Sequence, residues 1–226
     1  MSKILLIGNC IVDQILCLPH FPLQNEEIRV SSKHQALGGN ACNSAQILVQ
    51  LNHTVHLMSS LADDADASWI VDQLAGMGIN TSNCAKKTGY NTPHSNIWLS
   101  QQNGSRTVAH FRDLPELSLN DLSRININDY DWVHLEGRNI VILTEFLSAR
   151  QSELNASCCR LSLEIEKPRT DIEALLPYVE LAIISSAYLQ STGKNTSECI
   201  TMFRAINPKL KIVFTLGDQG LLACDE

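Results

Sequence analysis

Polar side chains suited to holding a small polar ligand surround a pair of glycines near the N-terminus. Gly38 and Gly39 are followed by Asn40, and Asn43 comes one helical turn later. Glycines let the backbone turn tightly and approach a ligand closely, because no Cβ is in the way. Asn40 is expected at or near a helix N-cap, where its amide would join the unpaired N–H groups of the first turn. This predicts a site for a polyhydroxylated ligand, although a plain loop before a capped helix is equally consistent with the motif alone.

A carboxylate precedes this glycine pair at a position where α/β proteins bind ligands. Residues 3–8 are a short apolar run ending in glycine, which predicts a central strand buried on both faces. Asp13 follows just beyond the predicted carboxyl end of that strand, and ligands of open α/β sheets bind in that crevice. Asp13 is therefore a candidate binding residue. On spacing alone, an aspartate that caps a turn explains it equally well.

Other acidic side chains give weaker signals. Glu164 and Glu166 share one face of a predicted strand, because residues two apart point the same way, and solvation of a sheet edge explains them as well. Asp63, Asp64 and Asp66 have the composition of a metal cluster. An acidic helix start explains these three better, since the helix dipole favours negative charge there.

Strands and helices alternate along the chain, which predicts a layered α/β domain over residues 1–226. The predicted strands are 3–8, 54–59, 131–135, 160–166, 180–185, 211–215 and 221–224, and the predicted helices are 40–51, 63 to 76 or 78, about 140–154, 170–177 and 197–206. Two alternating runs flank Asn103-Gly104, which predicts an antiparallel hairpin. With residues 14–18 and 26–32, this hairpin is expected to form a small lid sheet on the ligand side, within lid segments of about 14–32 and 93–113.

Composition excludes several classes of function. The net charge is −7, and no cluster of lysine and arginine indicates nucleic-acid binding. No apolar run approaches membrane-spanning length, and the N-terminus does not resemble a signal peptide. The eight cysteines are scattered without a Cys-x-x-Cys, which favours free thiols in a reducing compartment. We therefore expect a cytoplasmic protein with neither membrane nor nucleic-acid partners.

Together these motifs resemble the ribokinase-like (PfkB) carbohydrate kinases over nearly the whole chain. The resemblance is carried by Gly38-Gly39-Asn40-Ala41-Cys42-Asn43, Glu27-Ile28-Arg29, Asn103-Gly104-Ser105-Arg106-Thr107, and residues 134–139 and 163–169. The last two favour the branch of the family that phosphorylates ketohexoses. The resemblance implies a three-layer α/β sandwich with a mainly parallel central sheet and a small β-sheet lid.

The resemblance also implies which residues would hold a sugar. Asp13 would accept hydrogen bonds from sugar hydroxyls, for which an ionised carboxylate is a strong acceptor. Gly39, Asn40 and Asn43 would complete the sugar pocket. A homodimer formed through the lid is expected as well, because a hairpin with alternating apolar residues is left half exposed on a monomer.

A second set of residues is implied to serve ATP and magnesium. Arg106, on the lid, would approach the nucleotide phosphates, although an exposed hairpin charge is the simpler explanation from sequence. Gly217 and Gly220 would bring the backbone close to the adenosine. Glu136 would help hold Mg²⁺ through water. Whether K⁺ also stimulates the reaction is left open.

The expected activity is ATP-dependent phosphorylation of a small sugar, a ketohexose such as fructose. In this family the general base is an aspartate in a Gly-Ala-Gly-Asp motif, and that motif does not occur in the 226 residues. We therefore name no catalytic residue and expect a fold that is incomplete at the C-terminus and inactive alone. A non-catalytic sugar-binding or dimerising module is the alternative. A nucleotide-dependent oxidoreductase is disfavoured, since no Gly-x-Gly-x-x-Gly follows the first strand.

Overall fold

The computed structural model describes residues 1–225 as strands and helices that alternate along most of the chain. The strands are β1 (Lys3–Ile7), β2 (Ile11–Leu18), β3 (Ser32–Gly38), β4 (Thr54–Met58), β5 (Ser60–Ala62), β6 (Ala85–Lys87), β7 (His94–Ser100), β8 (Arg106–Phe111), β9 (Trp132–Glu136), β10 (Arg160–Ile165), β11 (Leu181–Ser185), β12 (Lys211–Thr215) and β13 (Leu221–Cys224). The α-helices are α1 (Asn40–Gln50), α2 (Ala65–Gly76), α3 (Leu119–Leu122), α4 (Ile140–Ser148), α5 (Gln151–Ala156), α6 (Ser186–Thr192) and α7 (Thr196–Ile206). Short 3₁₀ helices cover Ile127–Asp129, Ile172–Tyr178 and Gly217–Gln219.

A seven-stranded sheet in the order β13-β12-β11-β10-β9-β1-β4 forms the centre of the molecule. All neighbouring pairs are parallel except β12 and β13, which are antiparallel. The predicted two-sided burial of the first strand is confirmed, because Ile4, Leu5, Leu6 and Ile7 are all buried. Strands buried on both faces need helices on both sides, so this pattern is the reason for the layered architecture.

Helices cover the two faces of the main sheet unequally. On one face α4, α7 and the 3₁₀ helix Ile172–Tyr178 pack over the strands, and Phe146, Phe203 and Phe214 are completely buried there. On the other face α1 packs against β1 and β4. Farther along that face Trp132 and Ile183 line an open cavity of about 760 Å³. The helical layer is therefore extensive on one face and partial on the other.

A second sheet, in the order β3-β2-β7-β8, is the predicted lid sheet. The β7–β8 hairpin turns at residues 101–105, where the Asn103 side chain accepts hydrogen bonds from the Ser105 N–H and hydroxyl. β2 pairs antiparallel with β3 and parallel with β7, so the sheet is mixed. The expected hairpin at Asn103-Gly104 is confirmed.

Several boundaries predicted from sequence are wrong. Residues 26–30, expected in the lid sheet as part of 26–32, form no strand. A turn closed by the Glu26 N–H and the Leu23 carbonyl, with Asn25 at a φ of 65°, precedes this segment. The strand begins instead at Ser32, as β3, and runs up to Gly38, the first glycine of the pair. The helix predicted to reach residue 154 is interrupted at Arg150 and continues as α5.

The cysteine pattern behaves as expected from its spacing. All eight cysteines are free, and Cys10, Cys42 and Cys199 are buried.

Within residues 1–225, no helix is both long enough and apolar enough to cross a membrane.

Candidate functional site

Asp13 is the third residue of lid strand β2, and its side chain projects from one face of the lid sheet. As expected, it lies beyond the carboxyl end of β1, which ends at Ile7, but the chain has already re-entered extended structure at Ile11. In the register of the lid, Asp13 is opposite Ser95 on β7, and Ser95 is opposite His110 on β8. Residues directly opposite in neighbouring strands share a face, so these three side chains form one row across the sheet.

Gly38 packs directly against Asp13, whereas Gly39 packs against the backbone of Asn9. A Cβ at Gly38 would lie 2.4 Å from the Asp13 Cγ, so no other residue fits there without displacing the carboxylate. Gly39 adopts a φ of 98°, and a Cβ on it would lie 2.2 Å from the Asn9 carbonyl oxygen. These close approaches are the physical reason for two successive glycines.

Asn40 lies next to the N-cap of α1, as expected, but its amide does not cap the helix. Gly39 is the N-cap residue of α1 and no side chain caps this end. Asn40 is the first residue of the helix, and its Nδ2 donates to Glu164 Oε1 at 3.0 Å, because the helix start abuts the carboxyl end of β10. Asn43 is exposed and lines the open cavity on the partly covered face of the main sheet. Gly38 and Asp13 are thus brought together directly, whereas the Asn40 amide faces the carboxyl end of β10 and Asn43 lines the open cavity.

The Asp13 carboxylate is partly desolvated and incompletely paired. Its Oδ1 is buried and has no hydrogen-bond partner within the described part of the chain. Burial raises the pKa of Asp13, while the Ser95 hydroxyl and the charges of His110 and Arg106 lower it. Ser95 makes its well-aligned hydrogen bond to His110 Nδ1, at 3.1 Å. A buried carboxylate oxygen without a partner is costly, so this oxygen is available to a hydrogen-bond donor from a ligand.

Glu136, the last residue of β9, lies beside Asn9 and the first turn of α1. Its Oε2 accepts the Asn9 N–H at 2.8 Å and is 3.4 Å from the Ala41 nitrogen, while Oε1 is 3.9 Å from Arg138 Nε. Burial raises the pKa of Glu136, the Asn9 N–H and Arg138 lower it, and Glu164 on β10 raises it. Oε2 thus has protein partners, and Oε1 is the oxygen with remaining capacity.

Direct metal ligation is not supported by the surrounding side chains. Within residues 1–225 no group of three or more histidine, cysteine and acidic side chains could hold a metal ion. The acidic run before α2 has a structural role instead, since the Asp64 carboxylate caps the helix by accepting the Ala67 N–H at 2.8 Å. The interpretation of this run as a helix start is confirmed.

The residues expected to serve the nucleotide lie in two separate places. Arg106 is exposed on β8, in a row of the lid that faces the same side as Asp13, and it makes no ion pair with any residue of the described chain. Gly217 and Gly220 flank the 3₁₀ turn between β12 and β13, both at positive φ, and the Gly220 carbonyl accepts the Leu216 N–H at 2.8 Å. The turn therefore lies at the end of the main sheet away from β4.

Sequence reasoning missed Ser95 and His110. No short motif marks them, because their relation to Asp13 depends on the register of two strand pairings. The hairpin signal at Asn103-Gly104 predicts that the two strands pair, but not the register that places Ser95 opposite His110. The pairing of β2 with β7 joins segments far apart in the chain and leaves no local signal.

Comparisons with known proteins point in one direction. A family model described as pfkB family carbohydrate kinase matches residues 1–226. Ketohexokinase from mouse is 30% identical over 198 residues, which is 85% of this chain and 66% of that enzyme, so the chain spans about two thirds of its length.

Solved structures share the fold at low sequence identity. Ribokinase from Giardia lamblia has a TM-score of 0.83 at 16% identity, over 100% of this chain and 73% of that one. An Arabidopsis thaliana ribokinase, solved in complex with ribose and ATP, has a TM-score of 0.79 at 18% identity, over 100% of this chain and 75% of that one.

Proposed function

Because the chain belongs to the pfkB family of carbohydrate kinases, we propose that it binds a small sugar at the lid and serves the transfer of the ATP γ-phosphoryl group to a sugar hydroxyl. The proposed sugar is a ketohexose such as fructose, since the mouse relative is a ketohexokinase. The observation that carries the proposal is the buried Asp13 Oδ1, which has no hydrogen-bond partner in the described chain. The carboxyl group to which it belongs lies against Gly38.

Sugar recognition would rest on complementary hydrogen bonds. The Asp13 carboxylate would accept from ring hydroxyls, each charge-assisted bond being worth about 1.5–3 kcal/mol. Gly39 would let the backbone approach the sugar, and Asn40 and Asn43 would supply amide groups from the first turn of α1. Asn40 already donates one N–H to Glu164, so its second N–H and its amide oxygen remain for a ligand.

Nucleotide binding would use residues on the same side of the lid and at the end of the main sheet. Arg106 would contact the phosphates with its planar guanidinium, and Gly217 and Gly220 would let the backbone pass close to the adenosine. Mg²⁺ bound with ATP would neutralise phosphate charge. Glu136 would hold it through water by Oε1, and the Glu164 carboxylate facing Glu136 adds negative charge that a cation would offset.

The 226 residues lack the Gly-Ala-Gly-Asp motif that carries the general base in this family. We therefore propose that this chain alone binds sugar without turning it over. The lid would contribute positioning and exclusion of water, which are the main protein contributions to phosphoryl transfer. The eight free cysteines support a reducing, cytoplasmic location.

We also propose that the lid forms a homodimer interface. The apolar side chains Ile97 and Leu99 are half-buried, and Val108 on the neighbouring strand is 49% exposed. They lie on the face of the lid that carries Asp13, since alternate residues of a strand share a face. A second copy laid against this face would remove apolar surface from water.

Calorimetry with D-fructose tests the sugar-binding proposal on the 226-residue chain. We expect binding by the wild type, a loss of at least about tenfold in affinity for Asp13→Ala, and no change for Asp72→Asn, which replaces an exposed carboxylate on α2. A coupled assay of ADP release run in parallel should show no turnover. A wild-type chain that binds neither fructose nor another sugar would refute the proposal.

A further inference from the structure

Three side chains of the lid are coupled across neighbouring strands. Asp13, Ser95 and His110 lie directly opposite one another on β2, β7 and β8. Ser95 is 4% exposed, whereas Asp13 is partly buried and the His110 ring is exposed at the outer strand of the sheet. The row thus leads from solvent to the carboxylate through one buried hydroxyl.

The hydrogen-bonding capacity of these groups fixes a direction. A serine hydroxyl has one proton to donate, and an ionised carboxylate only accepts. The charge of Asp13 therefore favours a Ser95 hydroxyl oriented toward the carboxylate. In that orientation the Ser95 oxygen accepts from His110 Nδ1, 3.1 Å away, which must then carry its proton.

The opposite side of the carboxylate is already fixed. Gly38 leaves only enough room for the Asp13 carboxyl group, which would lie 2.4 Å from a Cβ at that position. The Asp13 carboxyl group therefore lies against the Gly38 backbone, and Ser95 is its direct neighbour in the register of β7. A confined carboxylate has fewer side-chain conformations to lose when a ligand binds.

We propose that His110 is a positioning residue of the sugar site, which acts through Ser95 to hold the Asp13 carboxylate in the orientation that accepts sugar hydroxyls. The proposal rests on the sugar-binding function proposed above. It adds Ser95 and His110, neither of which any motif identified.

Four charged side chains influence the pKa of His110. Partial desolvation is the main cause that lowers the pKa of His110, and Arg112, Arg138 and Lys167 lower it further. The negative charge of Asp13, on β2, raises it. Removing the Asp13 charge therefore should lower the pH at which His110 becomes protonated, whereas a histidine that is not coupled to Asp13 would not respond.

A titration of the His110 imidazole by NMR tests the coupling without any sugar. We expect the midpoint to shift to lower pH in Asp13→Asn and to change in Ser95→Ala, which removes the hydrogen-bond acceptor of Nδ1. Asp72→Asn is the matched control, because Asp72 is not among the groups that bias His110. An unchanged midpoint in both Asp13→Asn and Ser95→Ala would overturn the proposed coupling.

Calorimetry with D-fructose then tests the consequence for binding. We expect His110→Ala and Ser95→Ala to weaken binding about tenfold, the size of one charge-assisted hydrogen bond. His110→Asn should bind like the wild type, because an asparagine amide can replace the Nδ1–H. His34→Ala, at an exposed histidine on the lid strand β3, should also bind like the wild type.

The outcomes separate the two proposals. A wild type that binds fructose together with a His110→Ala variant of equal affinity overturns the positioning role and leaves the proposed function standing. A wild type that binds no sugar refutes the proposed function, and the NMR titration then decides the coupling by itself.

Discussion

Replacing Gly38 with alanine is the sharpest structural perturbation of the proposed site. The added methyl would lie 2.4 Å from the Cγ and the Oδ2 of Asp13, whereas ordinary contact begins at 3.4 Å, so the carboxyl group must move by about 1 Å. The backbone of Gly38 does not require positive φ, so the strain comes from this contact alone. We expect a loss of stability of about 1–3 kcal/mol from overpacking. Displacing the carboxyl group should remove its charge-assisted hydrogen bond to the sugar, worth about 1.5–3 kcal/mol, which corresponds to a loss of roughly 10- to 150-fold in affinity.

The assay combines fructose calorimetry with urea unfolding. Gly76→Ala is the matched control, because no atom lies within 4 Å of a Cβ placed there and alanine should stabilise this helix end by about 0.5–1 kcal/mol. It should leave the affinity for fructose unchanged. A folded Gly38→Ala variant with wild-type affinity would refute the reasoning, since it would mean that the orientation of Asp13 does not determine binding.

Three further predictions concern the fold and the assembly. Ile184→Ala should lower the free energy of unfolding in urea by about 2–5 kcal/mol, because Ile184 is fully buried. Ile183→Ala, on the partly covered face, should lower it by about 1 kcal/mol. Equal losses of stability would contradict the unequal covering of the two faces. Burial alone would raise the pKa of Asp121, but hydrogen bonds, chiefly from Lys87, hold it at about 2. Asp121→Asn should therefore lower the free energy of unfolding by about 2–3 kcal/mol at neutral pH. This difference in stability from the wild type should vanish as the pH falls from about 4 through 2, and a difference that does not depend on pH would contradict the prediction. Light scattering should show a dimer at micromolar concentration that becomes a monomer in Val108→Asp, and a wild-type monomer would count against the lid interface.

The central sheet could be predicted from sequence because its signals are local. A run such as residues 3–8 is apolar throughout, and burial on both faces leaves it few alternatives to a central strand. The hairpin at Asn103-Gly104 and the acidic start of α2 are equally local, and both appear in the structure. These elements depend mainly on residues within a few positions of one another.

The site was predicted less completely because it depends on register. The sequence singles out Asp13 as a candidate but does not indicate its place inside a lid strand, because β2 pairs with β3 and β7 through a register that has no local signal. His110 has no sequence signature for the same reason. Residues 26–30 have a sequence pattern suited to a strand but form no strand. A local pattern therefore does not suffice where no neighbouring strand pairs with the segment.

The most direct test of the account is a crystal structure of the chain soaked with D-fructose. We predict that a sugar hydroxyl lies about 2.6–3.2 Å from the Asp13 carboxylate, beside Gly38 and on the side of the lid that carries Arg106. Fructose bound only in the open cavity beside Trp132, with Asp13 Oδ1 still unpartnered, would contradict the account.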